Sequence, residues 1–195
     1  MQGMIEKRGS IGIIWIDNPP VNAISHAVRE GLIKAVENAS KDSEIKGLVL
    51  ACRGRTFMAG ADITEFASGV KPPWLGEVID TMSESSKVIV AAIFGTTFGG
   101  GLEVALGCNY RIADSNTKIG LPEVKLGIIP GAQGTQRLSR VSSVEFALKL
   151  ATLGNPVGAQ EALEAGAIDK ISNGELIDDA VSYAEELLKN NAPLK

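Results

Sequence analysis

The sequence predicts an α/β fold with a largely parallel sheet, and two observations carry that reading. Nearly uninterrupted apolar runs at residues 46–52 and 88–94 have the composition of strands covered on both faces. Around them lie segments whose apolar residues recur every three or four positions, the spacing of helices with one buried stripe. Buried strands alternating with helices favour parallel pairing beneath a helical layer. With 195 residues, the chain can bury one sizeable core without disulfide staples. A single domain over 1–195 is expected, with its core at about 1–172 and a closing helix at about 174–190.

In chain order, Met4-Ile5-Glu6-Lys7-Arg8 leads straight into a strand-like segment and offers no signal-peptide core. Residues 11–17 are a β-branched run ended by Asn18-Pro19-Pro20, which stops a strand ladder. Ser25 stands where it can cap a helix carrying Val28, Leu32, Ala35, Val36 and Ala39 on one face, with Glu30 four residues before Lys34. Beyond the two buried strands, residues 110–113 and 117–120 read as short strands. Helices are expected at 143–152, 158–165 and 175–189.

Nineteen Lys and Arg against 23 Asp and Glu leave a net charge of −4 with no basic run, so nucleic-acid binding has no electrostatic footing. The uncharged stretch from Val88 to Leu102 is broken by Gly and Thr and falls short of the ~18 apolar residues a membrane span needs. Cys52 and Cys108 form no C-x-x-C pair and sit in apolar surroundings, which points to buried thiols in a reducing compartment. The single histidine, His26, excludes His-rich zinc sites and is read as an exposed first-turn residue.

Phe98-Gly99-Gly100-Gly101-Leu102-Glu103-Val104-Ala105-Leu106-Gly107-Cys108 is the most informative segment. Three glycines after a buried strand open a short helix that is apolar on every face except at Glu103. Such a helix is buried, and an isolated buried carboxylate costs several kcal/mol unless paired or protonated. Glu103 is therefore either a functional acid or the partner of an internal Arg, with Arg111 the nearest candidate. Glycine lets a ligand approach the backbone, and a helix N-terminus offers unpaired N–H groups at its positive end. That combination suits an oxyanion. Val104 stands where the third glycine of a dinucleotide fingerprint belongs, which disfavours a cofactor pyrophosphate. A second glycine cluster, Ala59-Gly60-Ala61-Asp62-Ile63, follows the strand ending at Cys52, either as a plain turn or at the sheet edge where α/β ligands bind. Pro122 suits the first position of a short helix with Glu123 in its opening turn. Taken alone, Glu123 reads as a solvated surface acid.

Together these segments closely resemble the enoyl-CoA hydratase/isomerase (crotonase) family. The motifs are Ala59-Gly60-Ala61-Asp62-Ile63, Gly99-Gly100-Gly101-Leu102-Glu103, and Leu121-Pro122-Glu123 running to Pro130-Gly131-Ala132 and Gly134-Thr135-Gln136-Arg137-Leu138. With Asn18-Pro19-Pro20-Val21-Asn22-Ala23, the likeness spans nearly the whole chain in one order. It is strongest to the first domain of bifunctional fatty-acid β-oxidation enzymes. The resemblance implies a crotonase-like (ClpP/crotonase) spiral of ββα turns. It implies that the amides of Ala61 and Gly100 hold an acyl-CoA thioester oxygen, and that Glu103 and Glu123 are the two catalytic carboxylates. It also implies that Ala59, Gly60, Asp62 and Ile63 meet the CoA moiety. Water would add across a 2-enoyl-CoA, with Glu103 holding the water and Glu123 exchanging the Cα proton. The same pair could move a 3-enoyl double bond to the 2-position. No metal or redox cofactor is needed, CoA being part of the substrate.

Relatives usually continue into helices that cover the acyl pocket and form trimers. Here the chain stops at Lys195 after one amphipathic helix. A truncated C-terminal cover is expected, and with it weakened activity, dependence on self-association, or cover from a further dehydrogenase domain of a bifunctional chain. Phe94 and Gln133 stand where His and Gly are frequent in relatives. Rival readings are sister acyl-CoA reactions, a Clp-type serine protease that would have to use His26, and a CoA-thioester binding module without turnover. The expected compartment is a bacterial cytoplasm or a peroxisome rather than secretion, although Pro193-Leu194-Lys195 is no peroxisomal address.

Overall fold

The computed structural model describes residues 3–65 and 69–195. Its larger sheet contains β1 (Met4–Arg8), β2 (Ile11–Ile16), β3 (Gly47–Cys52), β4 (Val88–Ile93), β6 (Tyr110–Ala113) and β9 (Lys170–Ile171), in the order β1-β2-β3-β4-β6-β9. Only β1 is antiparallel to its neighbour; the remaining pairs are parallel, with Ile13 opposite Val49 and Val49 opposite Val90. A smaller sheet joins β5 (Thr96–Phe98), β7 (Lys118–Gly120) and β8 (Val157–Gly158). The consecutive pairs β4–β5 and β6–β7 each give one strand to the large sheet and the next to the small one. That repetition winds the chain into the expected spiral.

Strand alternation divides the core in two. Ile14, Ile16, Leu48, Leu50, Ile89 and Ala91 face α1 (His26–Lys41), α2 (Leu75–Ser83) and α3 (Gly100–Gly107). Ile11, Ile13, Trp15, Val49, Val90 and Ile112 face the other way, where Ala180, Ala184 and Leu187 of α7 (Leu176–Lys189) cover them. Fully burying each large aliphatic chain in these layers contributes about 1.5–3 kcal/mol. Both faces of β2, β3 and β4 are thus enclosed, which is why those strands read as continuous apolar runs.

The chain between β7 and α7 forms a 3₁₀ helix (Pro122–Leu126), α4 (Gly134–Val141), α5 (Val144–Leu153) and α6 (Ala159–Glu164). Ser143 caps α5 by accepting the Phe146 N–H at 3.1 Å. Several expectations need correction. Ser25 occupies the N-cap of α1 but makes no side-chain cap bond; Glu65 Oε1 instead accepts the His26 N–H at 2.5 Å. His26 is half-buried, not exposed, and its Nε2 lies 2.8 Å from the Pro72 carbonyl oxygen. Helices α2 and α4 have no counterpart in the sequence reading. The polar α4 fully buries only Gly134 and Leu138, too few positions to print a stripe. Its start is set by Gln133, held at φ 73°.

Two glycines deliver β5 into α3. Gly99 adopts φ 52°, a conformation glycine takes at no steric cost. A Cβ on Gly101 would lie 2.0 Å from the Met58 carbonyl oxygen, so only a glycine lets α3 seat this closely on the 56–61 segment.

Candidate active site

Every residue of α3 is buried, and Glu103 is 3% exposed within it. Its Oε1 accepts two backbone N–H bonds, from Ala132 and Gly134, each at 2.8 Å. Burial pushes its carboxyl above the usual range while those two amides pull the other way. The expected pairing with Arg111 does not form. Arg111 Nη2 bonds Asp169 Oδ2 at 2.9 Å, and the rest of its guanidinium donates to carbonyls that include Ala167 and Cys108. Arg111 belongs to β6, whose other neighbour β9 follows directly on Asp169, and that strand pairing selects the partner.

Glu123 sits in the first turn of the 3₁₀ helix with Pro122 at the helix start. It is 8% exposed, so its reading as a solvated surface acid fails. Its Oε2 is buried with no hydrogen-bond partner among the described residues. Burial raises its pKa first, a backbone hydrogen bond pulls the other way, and the charge of Glu103 raises it further. An unpartnered buried carboxylate oxygen is costly, so the environment favours a carboxyl that holds its proton.

The amides of Ala61 and Gly100 meet beside these acids. Ile24 donates to the Gly60 carbonyl at 2.9 Å and accepts from Asp62 N–H at 3.3 Å, forming a parallel bridge opposite Ala61. That bridge turns the Ala61 N–H away from Ile24. Gly100 opens α3, where the N–H has no intrahelical acceptor. The Ala61 nitrogen lies 3.5 Å from where a Cβ on Gly100 would stand, so the two backbones are adjacent.

One cavity of about 430 Å³ is lined by Ala59, Gly60, Ala61, Asp62, Ile63, Gly100, Glu103 and Glu123. The eight site residues implied by the family resemblance therefore line a single space. Within the 59–63 loop, Asp62 Oδ1 is held by the Thr64 N–H at 3.0 Å and its hydroxyl at 2.7 Å, while Ile63 is 66% exposed at the mouth. Sequence reasoning missed Arg29, Trp74 and Leu75, which also line the cavity, and the amide grip of Ala132 and Gly134 on Glu103. The available signals were Pro72-Pro73 ahead of α2, with Glu77 accepting the Trp74 N–H at 2.6 Å, and Gly134 at the start of α4. Chemically, the arrangement offers two adjacent backbone N–H donors and two differently held carboxyls lining one cavity.

A family profile described as enoyl-CoA hydratase/isomerase matches residues 6–194. The peroxisomal bifunctional enzyme of Cavia porcellus is 44% identical over 95% of this chain, which spans 26% of that protein. The chain thus covers about a quarter of the length of the bifunctional relatives it matches. A probable enoyl-CoA hydratase of Bacillus subtilis is 37% identical over 93% of this chain and 74% of its own. Among solved structures, Pseudomonas aeruginosa DspI superposes with a TM-score of 0.89 at 33% identity, covering 95% of this chain and 74% of its own. An enoyl-CoA hydratase from Mycobacterium tuberculosis H37Rv gives 0.88 at 31% identity, covering 95% and 75%.

Proposed function

The chain belongs to the enoyl-CoA hydratase/isomerase family, and from that premise we propose that it adds water across the double bond of a 2-enoyl-CoA thioester in fatty-acid β-oxidation. The observation that carries this reading is the convergence of two buried glutamates and the Ala61–Gly100 amide pair on one cavity. The amide pair receives the thioester oxygen, where charge gathers in the enolate-like transition state. Losing one such donor typically costs about 10²–10³ in rate. Glu103, its Oε1 fixed by two amides, holds and activates the water whose hydroxyl joins Cβ. Glu123, held toward its protonated form, supplies the Cα proton. The proton the water gives up restores the acid pair.

Glu123 poised over Cα also suits transfer of a proton between C2 and C4, so a slower 3-enoyl to 2-enoyl isomerisation belongs to the same proposal. The acyl-CoA is the partner, and CoA enters as part of the substrate. The relatives are named from peroxisomes and from bacteria, which supports the two compartments expected from the sequence. Loss of the enoyl-thioester ultraviolet absorbance on mixing with crotonyl-CoA tests the reading. Binding of crotonyl-CoA with no loss of absorbance would overturn it in favour of a binding module.

A further inference from the structure

Arg29 is a buried cation that the proposed chemistry leaves without a role. It projects from α1, is 4% exposed and lines the cavity that holds Glu103 and Glu123. Its guanidinium makes four bonds to three separate stretches of chain. Nη1 donates to the Ile24 carbonyl at 3.2 Å and to Glu65 Oε2 at 2.9 Å, Nη2 to the Lys71 carbonyl at 3.0 Å, and Nε to the Pro73 carbonyl at 2.7 Å.

The Ile24 carbonyl is the informative acceptor. It receives both the Arg29 guanidinium and the Asp62 N–H, and the second bond is half of the bridge that orients Ala61. Ile24 Cδ1 also lies 3.3 Å from where a Cβ on Gly100 would stand, so the residue that pairs with the chain on either side of Ala61 also packs beside Gly100. Arg29 at the same time ties Glu65, just past the 59–63 loop, to Lys71 and Pro73, which lead into Trp74 and Leu75 in the cavity lining. A planar fork with five donors reaches all four acceptors at once, one more than the three donors of a lysine ammonium can serve.

We propose that Arg29 is a positioning residue that sets the Ala61 N–H in line with the thioester oxygen by fixing Ile24 and the 71–73 stretch that leads into the cavity lining. The proposal rests on the hydratase reading above only for the identity of the ligand. A purely structural arginine would alter stability and leave the polarisation of a bound carbonyl untouched. A positioning arginine alters the polarisation itself.

The test uses the full chain, butyryl-CoA labelled with ¹³C at the thioester carbonyl, and isotope-edited infrared of the bound carbonyl stretch. Crotonyl-CoA turnover and thermal melting are measured in parallel. Wild type is expected to lower the stretch relative to free ligand. Arg29→Lys keeps a cation beside Glu65 and is expected to lose at least about half of that lowering, with KM within about threefold. Its kcat should fall about tenfold to a hundredfold, short of loss of a whole donor. Glu65→Ala, a second route to the same contact should Arg29→Lys fail to fold, is expected to lose a smaller part in the same direction. Folded variants that keep the full lowering, with turnover following only the folded fraction, would overturn the proposal, as would a wild type that lowers nothing. A lowered stretch in wild type that weakens in Arg29→Lys, without any hydration of crotonyl-CoA, supports Arg29 and removes the hydratase reading alone.

Discussion

Gly134 stands against the carboxyl of Glu103: a Cβ on Gly134 would lie 2.8 Å from Glu103 Oε1 and 2.9 Å from its Cγ. The same glycine donates its N–H to that oxygen at 2.8 Å. The absence of a side chain is therefore what lets the amide reach the acid. Gly134→Ala should push Glu103 off its two amides at an overpacking cost of about 1–3 kcal/mol. Misplacing a reacting group by about 1 Å can lower turnover about 10²-fold. Crotonyl-CoA turnover and the melting temperature of this variant check both expectations, and unchanged turnover would mean that the amide grip does not position the acid.

Glu123→Gln should lower hydratase turnover by about 10²–10⁴, the usual worth of a positioned general acid, and full activity would refute its assignment. Stability should move the other way. Burial raises the folded-state pKa of Glu123 above the ordinary 4.5. The folded protein then binds more protons than the unfolded chain above that pH, so stability falls as pH rises from 4.5 through the raised value. Gln carries no such titration. The melting temperature of Glu123→Gln should match wild type at pH below 4.5 and exceed it increasingly as pH climbs through that window. Melting curves across pH decide it.

The charge of Glu103 is one cause of the raised value at Glu123. Glu103→Gln should therefore let Glu123 release its proton at a lower pH than in wild type, since a like charge is removed. Infrared titration of the carboxyl band reads this directly without requiring turnover. An unmoved titration would mean that the two acids do not sense one another.

The sequence made these two acids legible to different degrees. Glu103 is the lone charge in a helix that is otherwise apolar, and that isolation alone marks it. Glu123 lies between Pro122 and Lys125 on what looks like a polar surface turn, and only the ordered likeness to a family linked it to Glu103. The donors on Glu103 were invisible because backbone amides of Ala132 and Gly134 leave no side-chain trace. Arg29 was hidden for a related reason: its acceptors include the carbonyls of Ile24, Lys71 and Pro73, which no residue type announces. Periodicity found the strands enclosed on both faces and most of the helices with apolar stripes. It missed the short α2 despite its buried Val78, Ile79 and Met82, and α4, which starts at a left-handed Gln133 and buries one leucine.

Arg111 shows the same limit from the other side, since nearness in sequence suggested Glu103 while the fold chose Asp169, 58 positions away. Arg111 is 1% exposed, and Asp169 also takes Lys195 Nζ at 2.7 Å. Asp169→Asn leaves a buried guanidinium without its anion, and removing one partner of such a pair costs about 3–5 kcal/mol. Asp169 is 12% exposed, so water offsets part of that loss and the low end is expected. None of the bonds Arg111 makes reaches Glu103 or Glu123. Turnover per folded molecule should accordingly stay at the wild-type level while the denaturation midpoint drops. A variant that melts normally yet turns over poorly would instead tie the Arg111–Asp169 pair to the chemistry of the cavity.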